Sequence, residues 1–166
     1  YSLTTAIVYV ITRASNAIPE FRYRIRDEQV VEHEIVHPGF TFLVEEETFS
    51  FCIVDYIEDF ATFAAKTAER IKYVKENPWV KIPPGDDLLY MTSIPWVSFT
   101  GFLHPMQLQP TDSIPRFVWG KFFEEGERLK MPLGVQGHHA LVNGVHVGKF
   151  YTEIQDYLSN PEEILS

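Results

Sequence analysis

Apolar side chains recur at helical spacing in three stretches of the chain, and we predict a helix in each. The first covers residues 3–17, where Ser2 can cap the start and Pro19 prevents continuation. The second covers residues 58–76, with one apolar stripe and a charged opposite side. The third covers about residues 144–159. Its predicted buried face consists of Val147, Phe150, Ile154 and Leu158.

Shorter runs between these helices predict strands, because they alternate between apolar and polar residues or are continuously apolar. Residues 21–26 alternate apolar with basic side chains, and residues 29–35 return, which predicts a hairpin with one wet face. Pro83, Pro84 and Gly85 predict a loop after the second helix. Further strands are predicted at residues 40–44, 48–55, 88–93, 97–103, 117–123 and 129–136, the last two joined by a turn at 124–127.

The order helix, strands, helix, strands, helix predicts an α/β two-layer sandwich. Its sheet is expected to be mixed and largely antiparallel, with the helices packed on one face. The chain has 166 residues, of which 45% are hydrophobic, and this is enough for one core. We therefore expect residues 1–166 to form a single domain.

The composition of the chain restricts the kinds of molecule to which it can bind. The net charge of −9 argues against a nucleic-acid partner, whose phosphates require a basic surface. The apolar run at residues 6–11 is too short to span a bilayer, and no secretory signal pattern is present. The single cysteine, Cys52, excludes an intrachain disulfide and is interpreted as a buried strand residue. A cytoplasmic protein without a membrane partner is expected.

Three histidines lie within nine residues near the C-terminus, at His138, His139 and His146. A shared metal is disfavoured, because adjacent strand residues point to opposite faces and no Cys or Glu completes a zinc set. A neutral imidazole at a strand end can act as a base toward a hydroxyl group. Asn143 is a candidate N-cap for the third helix, and Gly144 permits close approach of the backbone. The residues alone leave two interpretations open, a catalytic base or a packed histidine pair beside a helix cap.

The same stretch resembles the active-site block of the chloramphenicol acetyltransferase family. The resemblance is carried there by Met131-Pro132-Leu133, Gln136, His138-His139-Ala140, Gly144, His146-Val147 and Phe150. Further blocks agree in order along nearly all of the chain, which makes the resemblance specific. They are Pro19-Glu20-Phe21-Arg22, Asp27-Glu28, His37-Pro38, Glu47-Thr48-Phe49-Ser50, Pro95-Trp96-Val97-Ser98-Phe99, Gly120-Lys121 and Gly126-Glu127-Arg128-Leu129.

This resemblance implies a homotrimer with active sites at the subunit interfaces. It implies acetyl-coenzyme A as co-substrate, no metal, and a small-molecule hydroxyl acceptor such as chloramphenicol, hence a role in antibiotic resistance. By resemblance, His139 is the general base, and Thr92 stands where a hydroxyl stabilises the tetrahedral oxyanion. Asn143 stands at a position that braces the site.

The resemblance also suggests residues for the two substrates. Coenzyme A would contact Lys121, Trp96 and Phe122. The acceptor pocket would include Phe49, Phe102, His104 and Tyr90.

Several positions depart from the family pattern. Asn143 replaces an aspartate that pairs with an arginine from the family's N-terminal segment, and that segment is expected to be missing here. His104 replaces a common leucine and makes the acceptor site more polar. The main hypothesis is an acetyl-coenzyme A-dependent O-acetyltransferase. The alternative is a catalytically weak or inactive member that serves as a binding or scaffold protein. The core of a dihydrolipoyl acyltransferase, a third hypothesis, is discounted because no lipoyl domain is present.

Overall fold

The computed structural model describes residues 1–79 and 85–166, so the predicted loop positions Pro83 and Pro84 lie outside the described residues. The helices are α1 (Leu3–Ala17), α2 (Phe60–Glu76), α3 (Gly144–Ser159) and the short α4 (Pro161–Ile164), with a 3-10 turn at Pro19–Arg22. The strands are β1 (Tyr23–Arg26), β2 (Gln29–Glu32), β3 (His37–Leu43), β4 (Phe49–Ile53), β5 (Leu88–Ile94), β6 (Arg116–Gly120), β7 (Phe123–Glu125), β8 (Arg128–Lys130) and β9 (Leu133–Gln136).

The three long helices begin at side-chain caps, of which Ser2 and Asn143 were predicted and Asp59 was not. The Ser2 hydroxyl accepts a hydrogen bond from the Thr5 amide at 3.1 Å, and the Asp59 carboxylate accepts one from the Thr62 amide at 2.8 Å. Such caps satisfy backbone donors that have no partner within the helix. The predicted bounds of α1 and α3 are confirmed, and α2 begins two residues later than predicted because Asp59 caps it.

The main sheet has five strands in the order β4-β3-β5-β6-β9. β3 is parallel to β5 and β5 to β6, whereas β4 and β9 are antiparallel edge strands. Two antiparallel ribbons, β1-β2 and β7-β8, lie apart from it. The predicted mixed sheet is therefore confirmed, and four of the six described strand pairings are antiparallel.

One face of this sheet is sealed by the helices. Cys52, Phe40, Met91 and Phe117 stand side by side across four strands, and all four are buried. They belong to one core cluster with residues of α1, α2 and α3. Because successive strand residues face opposite sides, Thr41, Tyr90, Thr92, Arg116 and Val118 lie on the other face. The prediction that the helices pack on one side is confirmed.

Three strand predictions are corrected. Residues 97–103 form no strand. The Val97 carbonyl accepts one backbone hydrogen bond, from the Lys121 amide at 2.8 Å, and a single bond does not make a strand ladder. The two predicted long strands at 117–123 and 129–136 are each split in two. Pro132 has no N–H group for a ladder, and the Lys121 amide is diverted to Val97, so the ribbon β7-β8 separates from the sheet.

The predicted wet face of the first hairpin is also corrected. Arg24 is fully buried, and its guanidinium donates to the carbonyls of Phe21, Tyr23, Asp86 and Leu88. Alternation identified two faces, but the basic face includes one side chain that points into the protein. Burial lowers the pKa of Arg24 to about 10, which still leaves it charged at neutral pH.

A second ionic contact, between Arg26 and Asp86, joins this hairpin to the segment before β5. Arg26 binds the Asp86 carboxylate through two nitrogens, at 2.9 and 2.5 Å, and His33 Nε2 lies 2.8 Å from it. The Arg26 hydrogen bond is the main reason that the pKa of Asp86 is lowered to about 2. His33 is therefore part of a contact and not a plain surface residue.

At the C-terminal side, Leu158 is 55% exposed, so the predicted buried face of α3 is wrong at that position. The face ends one turn earlier, where Phe150 and Ile154 are buried. Within the described ranges, no helix has both the length and the apolarity required to cross a membrane.

We expect Arg24→Met to lower the free energy of unfolding by about 3 kcal/mol, because four carbonyls lose a charged donor within the protein. Arg26→Met, in the same strand but with a side chain that is 52% exposed, should change it far less, because solvent screens an exposed ion pair. Urea unfolding measures both values. Equal losses would contradict a special role for Arg24.

Candidate active site

The histidine pair lies in a turn between β9 and α3. β9 ends at Gln136, the predicted end of that strand, and the histidines follow it in the turn, so the strand geometry used against a shared metal does not apply to them. The His138 carbonyl accepts from the Leu141 and Val142 amides at 2.9 and 3.0 Å, and its Nδ1 accepts from the Ala140 amide at 3.3 Å. Both the carbonyl and the ring of His138 therefore form hydrogen bonds within the turn. His139 lies at the exposed tip, where its ring can meet a ligand.

Asn143 caps α3, as predicted. Its side-chain oxygen accepts from the Val145 amide at 2.9 Å and from the His146 amide at 3.4 Å. In return, His146 Nδ1 accepts from the Asn143 amide at 3.2 Å, which completes a capping box. The cap fixes the backbone four residues beyond His139. Whether Asn143 also braces the active site stays a prediction.

A contact distant in sequence joins this cap to the start of the chain. His146 Nε2 lies 3.3 Å from a carboxylate oxygen of Glu20, in the 3-10 turn after α1. Both side chains are mostly buried, with 18% and 26% of their surface exposed. His146 therefore accepts a hydrogen bond at Nδ1 and contacts a carboxylate through Nε2.

A cavity of about 330 Å³ lies at the carboxyl end of β5. Its lining includes three residues that were predicted for three different roles, Thr92, Trp96 and Phe49. The Thr92 hydroxyl lies 2.7 Å from the hydroxyl of Thr41 on the neighbouring strand. The full lining is Thr4, Thr41, Phe42, Leu43, Phe49, Thr92, Ser93, Pro95 and Trp96.

The other predicted acceptor residues form a second group, on the open face of the sheet. Tyr90 lies opposite Arg116, whose guanidinium carbon is 5.4 Å from the centre of the Tyr90 ring. The rings of Phe102 and His104 meet edge to face at 5.0 Å. The Gln136 side-chain oxygen accepts from the His104 amide at 2.8 Å, and its nitrogen donates to the His104 carbonyl at 3.2 Å.

Both titratable rings of this group are held neutral near pH 7. Burial, and then the charge of Arg116, lower the pKa of His104 from its usual value. Burial likewise raises the pKa of Tyr90. The open face therefore presents an imidazole and a phenol without a net charge.

The predicted coenzyme residues lie at the same end of the sheet as Trp96. Lys121 and Phe122 follow directly after Gly120, the last residue of β6, which is level with Ile94 at the end of β5. Lys121 is exposed and Phe122 is partly buried. Neither residue lines the cavity around Thr92.

His139 and Thr92 are separated within the chain. Thr92 is level with Val118, which is level with Gly134, so β9 runs about 10 Å from β5 across two strand spacings. His139 follows five residues after Gly134, beyond the end of β9. Among the described cavities, the one that Thr92 lines does not include His139. Within one chain, His139 therefore does not reach the cavity that Thr92 lines.

Sequence reasoning assigned no role to four polar residues that support these groups, namely Thr41, Arg116, Gln136 and Glu20, although Gln136 and Glu20 stand in the family motifs. Thr41 carried a local signal, since a polar residue between Phe40 and Phe42 indicates the face away from the helices. The other three are recognised only from contacts distant in sequence. In the part of the chain that the structure describes, no cluster of three or more His, Cys, Asp or Glu residues could hold a metal ion.

Comparison with known proteins gives a consistent result. The family model described as chloramphenicol acetyltransferase matches residues 1–155. A chloramphenicol acetyltransferase of Klebsiella sp is 34% identical over 155 residues, which is 92% of this chain and 70% of that protein. One of Clostridium perfringens is 32% identical over 164 residues, which is 96% of this chain and 75% of that protein.

Solved structures agree on the fold. A chloramphenicol acetyltransferase matches with a TM-score of 0.81 at 26% identity, covering 95% of this chain and 78% of that one. A dihydrolipoamide acetyltransferase of Azotobacter vinelandii matches with a TM-score of 0.71 at 13% identity, covering 99% and 71%, which indicates the fold alone. That enzyme was studied for the role of a serine, a histidine and an asparagine in its catalytic mechanism, the asparagine four positions after the histidine.

Two substitutions of Asn143, the N-cap of α3, test separately the hydrogen bonds of the cap and the effect of a negative charge at this position. We expect Asn143→Ala to lower the free energy of unfolding by about 1 kcal/mol, because the Val145 and His146 amides lose their acceptor. Asn143→Asp should stay within about 0.5 kcal/mol of the parent, since both residues cap well. Urea unfolding of the three proteins tests this, and a large loss in Asn143→Asp would show that the site does not tolerate a carboxylate.

Proposed function

This chain belongs to the chloramphenicol acetyltransferase family, and on that premise we propose that it transfers an acetyl group from acetyl-coenzyme A to a hydroxyl of chloramphenicol or a related small molecule. The observation that carries the proposal is the family match over residues 1–155, which includes the His139 turn. Consumption of chloramphenicol in this way would confer resistance to it.

In the proposed reaction, His139 removes the proton of the acceptor hydroxyl as its oxygen attacks the thioester carbonyl carbon. The carbon–sulfur bond of the tetrahedral intermediate then breaks, and coenzyme A leaves as a thiol that takes up the proton from His139. The acetyl ester is released without an acyl-enzyme. The exposed position of His139, on a turn fixed by backbone hydrogen bonds, supports this role.

We assign the stabilisation of the oxyanion to Thr92. Its hydroxyl lines the cavity and lies 2.7 Å from that of Thr41. When Thr92 donates to the oxyanion, Thr41 donates to Thr92 and fixes its rotamer. A preorganised donor of this kind contributes about 3 kcal/mol to transition-state binding.

The site is completed by a second copy of the chain. The separation of His139 and Thr92 within one chain supports a homotrimer in which one subunit supplies the histidine and its neighbour supplies the threonine. The open face of the sheet, with Phe49 67% exposed and Trp96 66% exposed, offers apolar surface for such an assembly.

The remaining residues divide between the two substrates. Lys121, Trp96 and Phe122 lie at one end of the sheet and are proposed to bind coenzyme A, with Lys121 near its phosphates. The acceptor is proposed to contact Phe49, Phe102, His104 and Tyr90. Since His104 and Tyr90 are neutral hydrogen-bonding groups, this surface favours an acceptor with polar groups beside its aromatic or apolar part.

The alternative function is a catalytically weak or inactive member that binds small molecules or serves as a scaffold. It is favoured by Asn143, whose side chain is used in the helix cap and carries no charge to brace the site.

Removal of the proposed base distinguishes the two functions. We expect His139→Ala to reduce thiol release from acetyl-coenzyme A in the presence of chloramphenicol by at least about 100-fold. The control is His138→Asn, because an asparagine oxygen can still accept from the Ala140 amide, and its rate should stay near that of the parent. Equal background rates in the parent and in His139→Ala would support the inactive alternative.

Mixing two inactive variants tests whether the site is shared between subunits. His139→Ala and Thr92→Val, unfolded together and refolded as a mixture, should regain about one quarter of the parental activity, because one interface in four then combines an intact histidine with an intact threonine. Each variant refolded alone supplies the background rate. No recovery in the mixture would show that the two residues do not act across an interface.

A further inference from the structure

We propose that Glu20 and His146 act together as positioning residues that hold the turn carrying His139. The inference rests on the proposed function and adds two residues to it. Neither residue needs to touch a substrate. They act on the backbone between the histidine and the helix, through the hydrogen bond of His146 Nδ1 and the 3.3 Å contact between its Nε2 and Glu20.

The hydrogen bonds of His146 determine which nitrogen carries its proton. Nδ1 accepts from the Asn143 amide at 3.2 Å, so in the neutral ring the hydrogen is on Nε2. The protonated Nε2 then faces the Glu20 carboxylate, whose nearer oxygen lies 3.3 Å away. The ring therefore links the backbone of Asn143 to a carboxylate on another element.

The Glu20 side of this link is rigid. The neighbouring residue Phe21 is fully buried, and its ring lies 5.2 Å from that of Phe150 on α3 and 6.0 Å from that of Phe117 on β6. The 3-10 turn is thus fixed to the core beside Glu20. A carboxylate held in this way gives His146 a firm partner.

The other side of the link is an otherwise exposed helix end. Asn143, Gly144 and Val145 are all exposed, and the next residue, His146, fastens the cap to the protein. The turn before it is anchored by the buried residues Leu141 and Val142, so the His139 backbone is held from both directions. Loss of the link would loosen one of these two supports.

Such loosening should affect turnover more than substrate binding, because small displacements of a catalytic group lower the rate strongly. We expect Glu20→Ala to lower kcat for chloramphenicol acetylation about tenfold, with KM for acetyl-coenzyme A within about twofold of the parent. Glu20→Gln should restore most of kcat, because its amide oxygen still accepts from Nε2.

The matched control is Glu32→Ala. It also removes a carboxylate beside the 3-10 turn, since Glu32 pairs with Arg22 at 3.0 Å, but it leaves the link to His146 intact. Its kcat should equal that of the parent when all variants are assayed well below their melting temperatures. A kcat of Glu20→Ala within twofold of the parent, or an equal fall in Glu32→Ala, would overturn the inference.

A readout independent of activity separates this inference from the proposed function. In the intact protein, the ring nitrogen shifts of His146 should show hydrogen on Nε2, and the Leu141 and Asn143 amides should exchange faster in Glu20→Ala but not in Glu20→Gln. A parent without acetyl transfer would refute the proposed function, and the exchange rates would still decide the link. A proton on Nδ1, or exchange unchanged in Glu20→Ala, would overturn it.

Discussion

One buried cation holds together the segments on which the candidate site depends. Arg24 donates to the carbonyls of Phe21 and Tyr23 on its own side, and to those of Asp86 and Leu88 at the start of β5. A guanidinium inside a protein requires such a full set of acceptors, because burial otherwise disfavours its charge. The first hairpin is thereby fastened to β5. Tyr90 and Thr92, on the open face of that strand, follow two and four residues after Leu88.

The two faces of the sheet have different roles: one holds the core, and the other carries the residues of the candidate site. The helix side is filled with apolar residues and has little tolerance for change. The open side carries polar side chains, among them the paired hydroxyls of Thr41 and Thr92 and the Gln136 amide, which binds the His104 backbone. Strand alternation produces this division directly, since each residue of the core is flanked by residues of the open face.

Local signals explain which parts of the fold could be predicted. Ser2 and Asn143 cap helices through residues close in sequence, so the bounds of α1 and α3 follow from the chain itself. The break at Lys121, the burial of Arg24 and the partner of His146 depend on residues far away in sequence, and no local pattern contains them. The break at Pro132 is different, because a proline inside a predicted strand is itself a local signal. The role of His139 was inferred from its motif, whereas its separation from Thr92 required the register of three strands.

The neutral cap of α3 bears on the electrostatics of this turn. An acidic residue near the start of a helix is stabilised by the partial positive charge of its unpaired amides. Asn143 supplies the hydrogen bonds of such a cap without the charge. The charge is instead provided by Glu20, 3.3 Å from His146 in the first turn of the helix. Asparagine at position 143 therefore gives the start of α3 its hydrogen bonds, and Glu20 gives His146 of the same turn an acidic partner.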